Sequence, residues 1–307
     1  MKTLLTICTV LAFAVGVNSA QADTGTIIDM GGELSAHGIS GNNSFVAAYK
    51  NNPRSSWSCY IYKGKGEGAC DIDMPGAGTT EPEGIDGNNI VGHRRNASGV
   101  HGFLYNWKTD ICTTLDAPWA KTTEAYGISG NNIVGAYVMT DSIYNHGVIY
   151  NWTTKTWTTI KMPGASSTGA YGINGSKIVG VYVIGSIVHG FIYDYVEKTW
   201  TTIDMPGARE TRPHGIYGNN IVGEYQDAKR RVHGFFYDGK SWTTIDVPNA
   251  EYTVATGISG NKIVGKYLIV DIVARTSTFH SFFYTISENI NSGGRSVQWA
   301  IKKISQL

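Results

Sequence analysis

The chain has 307 residues, with 25 Lys and Arg against 24 Asp and Glu, and only 16% of its side chains are charged. That balance excludes recognition of nucleic acid by bulk positive charge, and 42% hydrophobic content with 11% aromatics excludes disorder. The 38 glycines exceed the average share of about 7%. Met1-Lys2 is a short basic start, Leu4 to Val17 is an apolar run, and Ala20-Gln21-Ala22 is a small-x-small cleavage site. These are the three parts of a secretory signal, so residues 1–22 are expected to be removed and the mature chain to begin near Asp23. The apolar run is too short for the roughly 30 Å of a bilayer core, and no membrane span is expected. Loss of Lys2 leaves a formally neutral protein. Cys8 goes with the signal, and Cys59, Cys70 and Cys112 remain, an odd number in a compartment that permits disulfides.

The mature chain is a repeat. Six Gly-Ile signatures occur at Gly38-Ile39, Gly84-Ile85, Gly127-Ile128, Gly172-Ile173, Gly215-Ile216 and Gly257-Ile258, spaced 42 to 46 residues apart. After each comes an apolar strand such as Ile133-Val134-Gly135-Ala136-Tyr137. A His-Gly-Phe strand such as His189 to Tyr193 follows, then a Trp-Thr-Thr-Ile-Asp strand such as Trp200 to Asp204, closed by Pro206-Gly207-Ala208. Four short β segments per unit, separated by Gly, Asn-Asn or Pro-Gly punctuation, are the measure of one propeller blade. The expected fold is all-β: one domain over residues 23–307, a six-bladed β-propeller of four-stranded antiparallel blades. Thr26-Ile27-Ile28-Asp29 reads like a fourth strand that precedes the first signature, so it is the preferred outer strand of the last blade. Val297 to Ile301 competes for that place.

The recurrence of Gly-Ile-x-Gly-Asn-Asn-Ile-Val-Gly-x-Tyr, His-Gly-Phe-x-Tyr and Thr-Thr-Ile-Asp-x-Pro-Gly-Ala resembles the bacterial extracellular HAF-repeat family over essentially all of Asp23 to Leu307. This chain departs with Gly for Ala in most units, Ser58-Cys59-Tyr60 in the first, His146-Gly147-Val148 in the third and His280-Ser281-Phe282 in the last. The resemblance implies export and a propeller, and it implies no catalytic residues and no cofactor.

Five histidines, His101, His146, His189, His233 and His280, tempt a metal reading, but their spacing distributes them around a ring. The offsets instead set His101 opposite Asp116, His189 opposite Asp204 and His233 opposite Asp246 across hairpins, as structural pairs. Lys161 replaces the carboxylate expected opposite His146. No metal site and no cofactor are expected. Trp157, Trp200 and Trp242 recur at one position and read as packing, with Cys112 in the equivalent place as a small buried hydrophobe. The Asn-Asn pairs read as turn residues that tolerate left-handed backbone. Cys59 and Cys70 flank one hairpin, diagonal to each other, and form a candidate disulfide.

No nucleophile elbow, zinc-protease or phosphate-loop motif is present. Variation between units is more informative. The innermost strand of a blade lines the channel, so the residues before each signature, His37, Glu83, Tyr126, Tyr171, His214 and Thr256, are expected near the axis. The second unit adds His93 and Arg94, and the fifth adds Glu224. Units two and five lie opposite each other in a ring of six. The expected ligand site therefore comprises His37, Glu83, His93, Arg94, Tyr126, Tyr171, His214 and Glu224. Two functions follow: an exported, non-enzymatic propeller that binds a glycan or an envelope or extracellular protein at the channel mouth, or a polysaccharide hydrolase or lyase. The second would use Glu83 and Glu224, or His93 and His214, for proton transfer.

Overall fold

The computed structural model describes residues 26–29, 34–41, 44–49, 58–62, 69–72, 78–271, 275–286 and 300–303. The proposed signal, residues 1–22, lies outside them. Twenty-five strands form six sheets arranged as the blades of a propeller, and no helix occurs among the described residues. Blade 3 shows the pattern: Ala120–Ser129 is innermost, followed outward by Asn132–Met139, Asn145–Asn151 and Thr156–Ile160, each antiparallel to the last. Ile, Val, Thr and Tyr fill these strands because branched and aromatic side chains pack well on a pleated surface. The hairpin between the two inner strands turns on a glycine in the left-handed region, at Gly87, Gly130 and Gly218 in blades 2, 3 and 5. The Asn-Asn pairs at 88–89, 131–132 and 219–220 do not carry that conformation, because the glycine before them takes it and Asn89, Asn132 and Asn220 already open the next strand.

Alternation sends one face of each blade against its neighbour. Val91 and Leu115 of blade 2 pack with Ala125, Ile128, Ile133 and Tyr150 of blade 3 in one such cluster. The phenylalanine of the His-Gly-Phe motif is fully buried at Phe103, Phe191 and Phe235, each contributing roughly 1.5–3 kcal/mol of burial. A repeated polar link fastens blade 2 to 3, 3 to 4, 4 to 5 and 5 to 6: the Ala117, Met162, Met205 and Val247 amides donate to the hydroxyls of Thr123, Thr168, Thr211 and Thr253 on the following inner strand. On the outer strands Trp157, Trp200 and Trp242 stack on Tyr150, Tyr193 and Tyr237, with ring centroids 4.2, 4.2 and 4.4 Å apart. Cys112, in the same column, is exposed rather than buried. Its strand is the outermost of blade 2 and only Leu115 is buried along it.

Both chain ends enter the last blade. Thr26–Asp29 takes the fourth place, antiparallel to Thr276–Thr285, and Ala300–Lys303 adds a fifth strand parallel to it. The competition between the termini thus ends with both in the sheet. Closure is completed inside: the Ala36 amide donates to Ser281 Oγ at 2.8 Å, and Thr256 Oγ1 donates to the Ala36 carbonyl at 2.8 Å. Serine at the place of the usual glycine in the last His-Ser-Phe motif therefore ties blade 6 to blade 1. In blade 1 the register pairs Cys59 with Ile72 and Ile61 with Cys70, so the two cysteines occupy diagonal positions. Whether they are bonded turns on the Cys70 side chain, which lies outside the described residues.

Candidate functional site

The inner strand of every blade contains the same irregularity. Pairing with the second strand skips a residue between Pro82 and Gly84, Ala125 and Gly127, Ala170 and Gly172, Pro213 and Gly215, Ala255 and Gly257, and in blade 1 it shifts between Ala36 and Ile39. The residues left over are Glu83, Tyr126, Tyr171, His214, Thr256 and, in blade 1, the His37-Gly38 step. A β-bulge re-aims a side chain, and here it occurs six times around one axis. All six pre-signature residues, His37 included, line one axial cavity of about 400 Å³.

Glycines make the bulge fit. A Cβ on Gly92, Gly135, Gly180, Gly223 or Gly265, each on the second strand beside the bulge, would lie 1.9 to 2.2 Å from a carbonyl oxygen of the inner strand. The signature glycines meet around the axis. A Cβ on Gly84 would come within 3.2 Å of Gly127 Cα, and the same approach repeats from blade to blade until Gly257 reaches the His37 carbonyl at 2.7 Å.

A second tier consists of directly paired residues on the two inner strands: Ser35/Ala48, Glu81/His93, Glu124/Ala136, Gly169/Val181, Arg212/Glu224 and Val254/Lys266. Glu81, Glu224, Val254 and Lys266 from this tier also line the cavity. Lys266, Glu81 and Ser35 were not among the residues expected from sequence. Lys266 was detectable, since it stands at the same place after Ile-Val-Gly as His93 and Glu224.

The expected residues do not all converge. His37, Glu83, Tyr126, Tyr171, His214 and Glu224 line the cavity, and His93 stands beside them with its ring 6.3 Å from Tyr126, edge to face. Arg94 does not join them. Successive residues on a strand point to opposite faces, so with His93 inward Arg94 turns outward and donates to Thr114 Oγ1 at 2.8 Å. Tyr137, Tyr182 and Tyr225 make the equivalent bond to Thr159, Thr202 and Thr244 in blades 3, 4 and 5. Arg94 replaces that tyrosine as a brace.

Charge in the cavity is organised. His37 Nδ1 lies 2.7 Å from Glu83 Oε2, and His37 Nε2 lies 3.0 Å from Ser35 Oγ. Burial alone would raise the Glu83 carboxyl, but the attraction and hydrogen bond of His37, with His93 and Lys266, bring it from 4.5 down to about 2. Burial, reinforced by Lys266, pushes His214 down to about 3. Glu224 is raised by burial against the attraction of Arg212 and Lys266. Tyr126 donates to Glu124, and its ring meets Tyr171 edge to face at 5.0 Å, with Tyr171 stacked on His214 at 5.5 Å. His214 Nε2 is buried without a hydrogen-bond partner among the described residues.

The outer histidines occupy other surroundings. His101 lies 3.0 Å from Asp116, His189 2.8 Å from Asp204 and His233 2.9 Å from Asp246, each through Nδ1. His146 faces Lys161 instead, and burial together with that cation lowers it.

No family model and no curated protein matches this chain. Solved propellers do. TolB from Acinetobacter baumannii aligns with a TM-score of 0.57 at 11% identity, over 83% of this chain and 64% of that one. The β-propeller domain of the Trilobed protease from Pyrococcus furiosus gives 0.53 at 12%, over 84% and 82%. The Aleuria aurantia lectin, a six-bladed propeller described with a novel mode of fucose recognition, gives 0.50 at 12%, over 83% and 90%. The chain thus spans just under two thirds of the Acinetobacter TolB chain. At these identities the likeness is one of fold.

Proposed function

We propose that this protein is an exported propeller of the HAF-repeat kind that binds a glycan in its axial cavity without turning it over. The observation that carries the reading is the ring of bulge residues. Packing repeats almost unchanged from blade to blade, yet the bulge position that lines the axial cavity holds His, Glu, Tyr, Tyr, His and Thr. A repeated scaffold with a varied centre is what recognition of an asymmetric ligand requires. A volume near 400 Å³ falls in the range of small-ligand sites, about 300–1,000 Å³. Glu83, Lys266 and the unpartnered His214 Nε2 offer acceptors and donors for hydroxyls, and Tyr126 and Tyr171 offer an apolar wall. The Aleuria aurantia lectin's fucose recognition is in keeping with glycan binding on this fold.

The test is a glycan-array screen of the mature protein beside Glu83→Ala and His214→Ala. Binding by the wild type that both substitutions abolish supports the reading. Binding indifferent to both refutes the site, and a blank array shifts the reading to an envelope or extracellular protein at the same mouth.

One observation favours a hydrolase as the second reading. Glu83 is lowered and Glu224 raised within one cavity, the divergence that separates a base or nucleophile from a general acid. Under that reading Glu224→Gln would abolish turnover of a bound polysaccharide while leaving its binding in place.

A further inference from the structure

We propose that Glu81, Glu83 and His93 bind a divalent first-row metal ion, with zinc the best match, on the blade 2 side of the cavity. The inference goes beyond glycan binding and stands on these three side chains whatever else fills the cavity. Donor atoms of the three lie within 4.8 Å of one another, one from each residue. Backbone register explains the gathering: Glu81 is directly across from His93, and Glu83, two residues further along the same strand, falls on the same face by the ordinary alternation.

The imidazole sits between the carboxylates without bonding to either. His93 Nε2 is 3.8 Å from Glu81 Oε2, and His93 Nδ1 is 3.8 Å from Glu83 Oε1. Both separations exceed hydrogen-bonding range, and the buried Nδ1 has no hydrogen-bond partner among the described residues. A buried imidazole nitrogen without a partner, facing carboxylates that converge on it but stay out of bonding distance, fits an ion with ligand distances of about 2.0–2.2 Å between them. Glu83 has an oxygen to spare, since His37 holds Oε2 at 2.7 Å and is itself steadied by Ser35 at 3.0 Å. That chain is the outer support which orients a ligating carboxylate.

The donor set selects the metal. Two carboxylates and one imidazole suit zinc or manganese, whereas calcium and magnesium prefer oxygen alone. Three protein donors leave a fourth position for water or a ligand hydroxyl. The outer histidines hydrogen-bonded to aspartates do not compete as a set, because each pair belongs to a different blade.

The experiment is calorimetric titration of chelator-stripped mature protein with zinc chloride alone, in a Cys112→Ser background that removes the exposed thiol. The expected result is one ion per chain, affinity at least about tenfold weaker in Glu81→Gln and in His93→Gln, and unchanged affinity in His189→Gln. Absence of zinc binding by the wild type, or affinity equal to wild type in the two site variants, overturns the proposal. Circular dichroism establishes that the variants are folded. Should either not fold, X-ray absorption of the zinc complex of the parent protein decides: an oxygen-rich shell with one imidazole sustains the site, and two or more imidazoles refute it.

Discussion

Gly127 of blade 3 and Gly172 of blade 4 stand so close that a Cβ on the first would lie 3.3 Å from the Cα of the second, and 2.6 Å from the Tyr171 carbonyl. Contacts of this kind join the signature glycines around the axis, and they explain why glycine recurs there. Gly127→Ala is expected to destabilise the fold by about 1–3 kcal/mol through overpacking, read as a lowered midpoint in chemical denaturation. A midpoint equal to wild type would mean that the inner strands stand farther apart.

Ser281→Gly restores the residue that most blades carry at this position, yet it is expected to lose stability. It removes the acceptor of the Ala36 amide, and a buried donor left unsatisfied costs about 1–3 kcal/mol. Thermal denaturation of the single variant checks this. Gain of stability on moving toward the repeat consensus would contradict the account of ring closure.

The fold was legible because its period is visible in the chain: six Gly-Ile signatures and four short segments between them suffice to specify blades. The inward direction of these residues was legible as well, since each immediately precedes a signature on the innermost strand, the one that lines the channel. Arg94 was misplaced for a physical reason. It is adjacent to His93, and adjacent residues cannot both face the axis without a second bulge. Lys266 was overlooked although it shares a column with His93 and Glu224. Glu81 became visible only with the register, because nothing in the sequence says which residue lies across from His93. Cys112 was placed in the core from the tryptophans of other blades, whereas that column lies on the exposed outer strand.

Arg94→Tyr supplies the side chain that braces blades 3, 4 and 5, so it is expected to keep both stability and ligand binding. Arg94→Ala loses the bond to Thr114, at a cost of about 0.5–1.5 kcal/mol, with ligand binding again unchanged. Denaturation and binding measured on the same samples separate the two roles.

Acid should weaken the fold in a defined order. His214 is held at about 3 in the folded protein against 6.5 for an ordinary imidazole, so the unfolded chain takes the proton first and stability falls as pH drops below 6.5. Glu83, lowered to about 2 from 4.5, adds its loss only below about 4.5. Glu224, raised by burial, acts in the opposite sense. Comparison of wild type with His214→Gln isolates the imidazole: between pH 7 and 5 the wild-type melting temperature should fall more steeply. Parallel profiles would show that His214 is not buried as a neutral ring.

The most direct measurement of the central claim, that recognition occurs at the ring of bulge residues, is calorimetric affinity for the strongest glycan found on the array. The account predicts binding at least about tenfold weaker in Glu83→Ala, Tyr171→Ala and His214→Ala, each near the 1.4 kcal/mol that a tenfold change represents, with Arg94→Tyr like wild type. Undiminished affinity in all three cavity variants would place the binding surface elsewhere on the propeller.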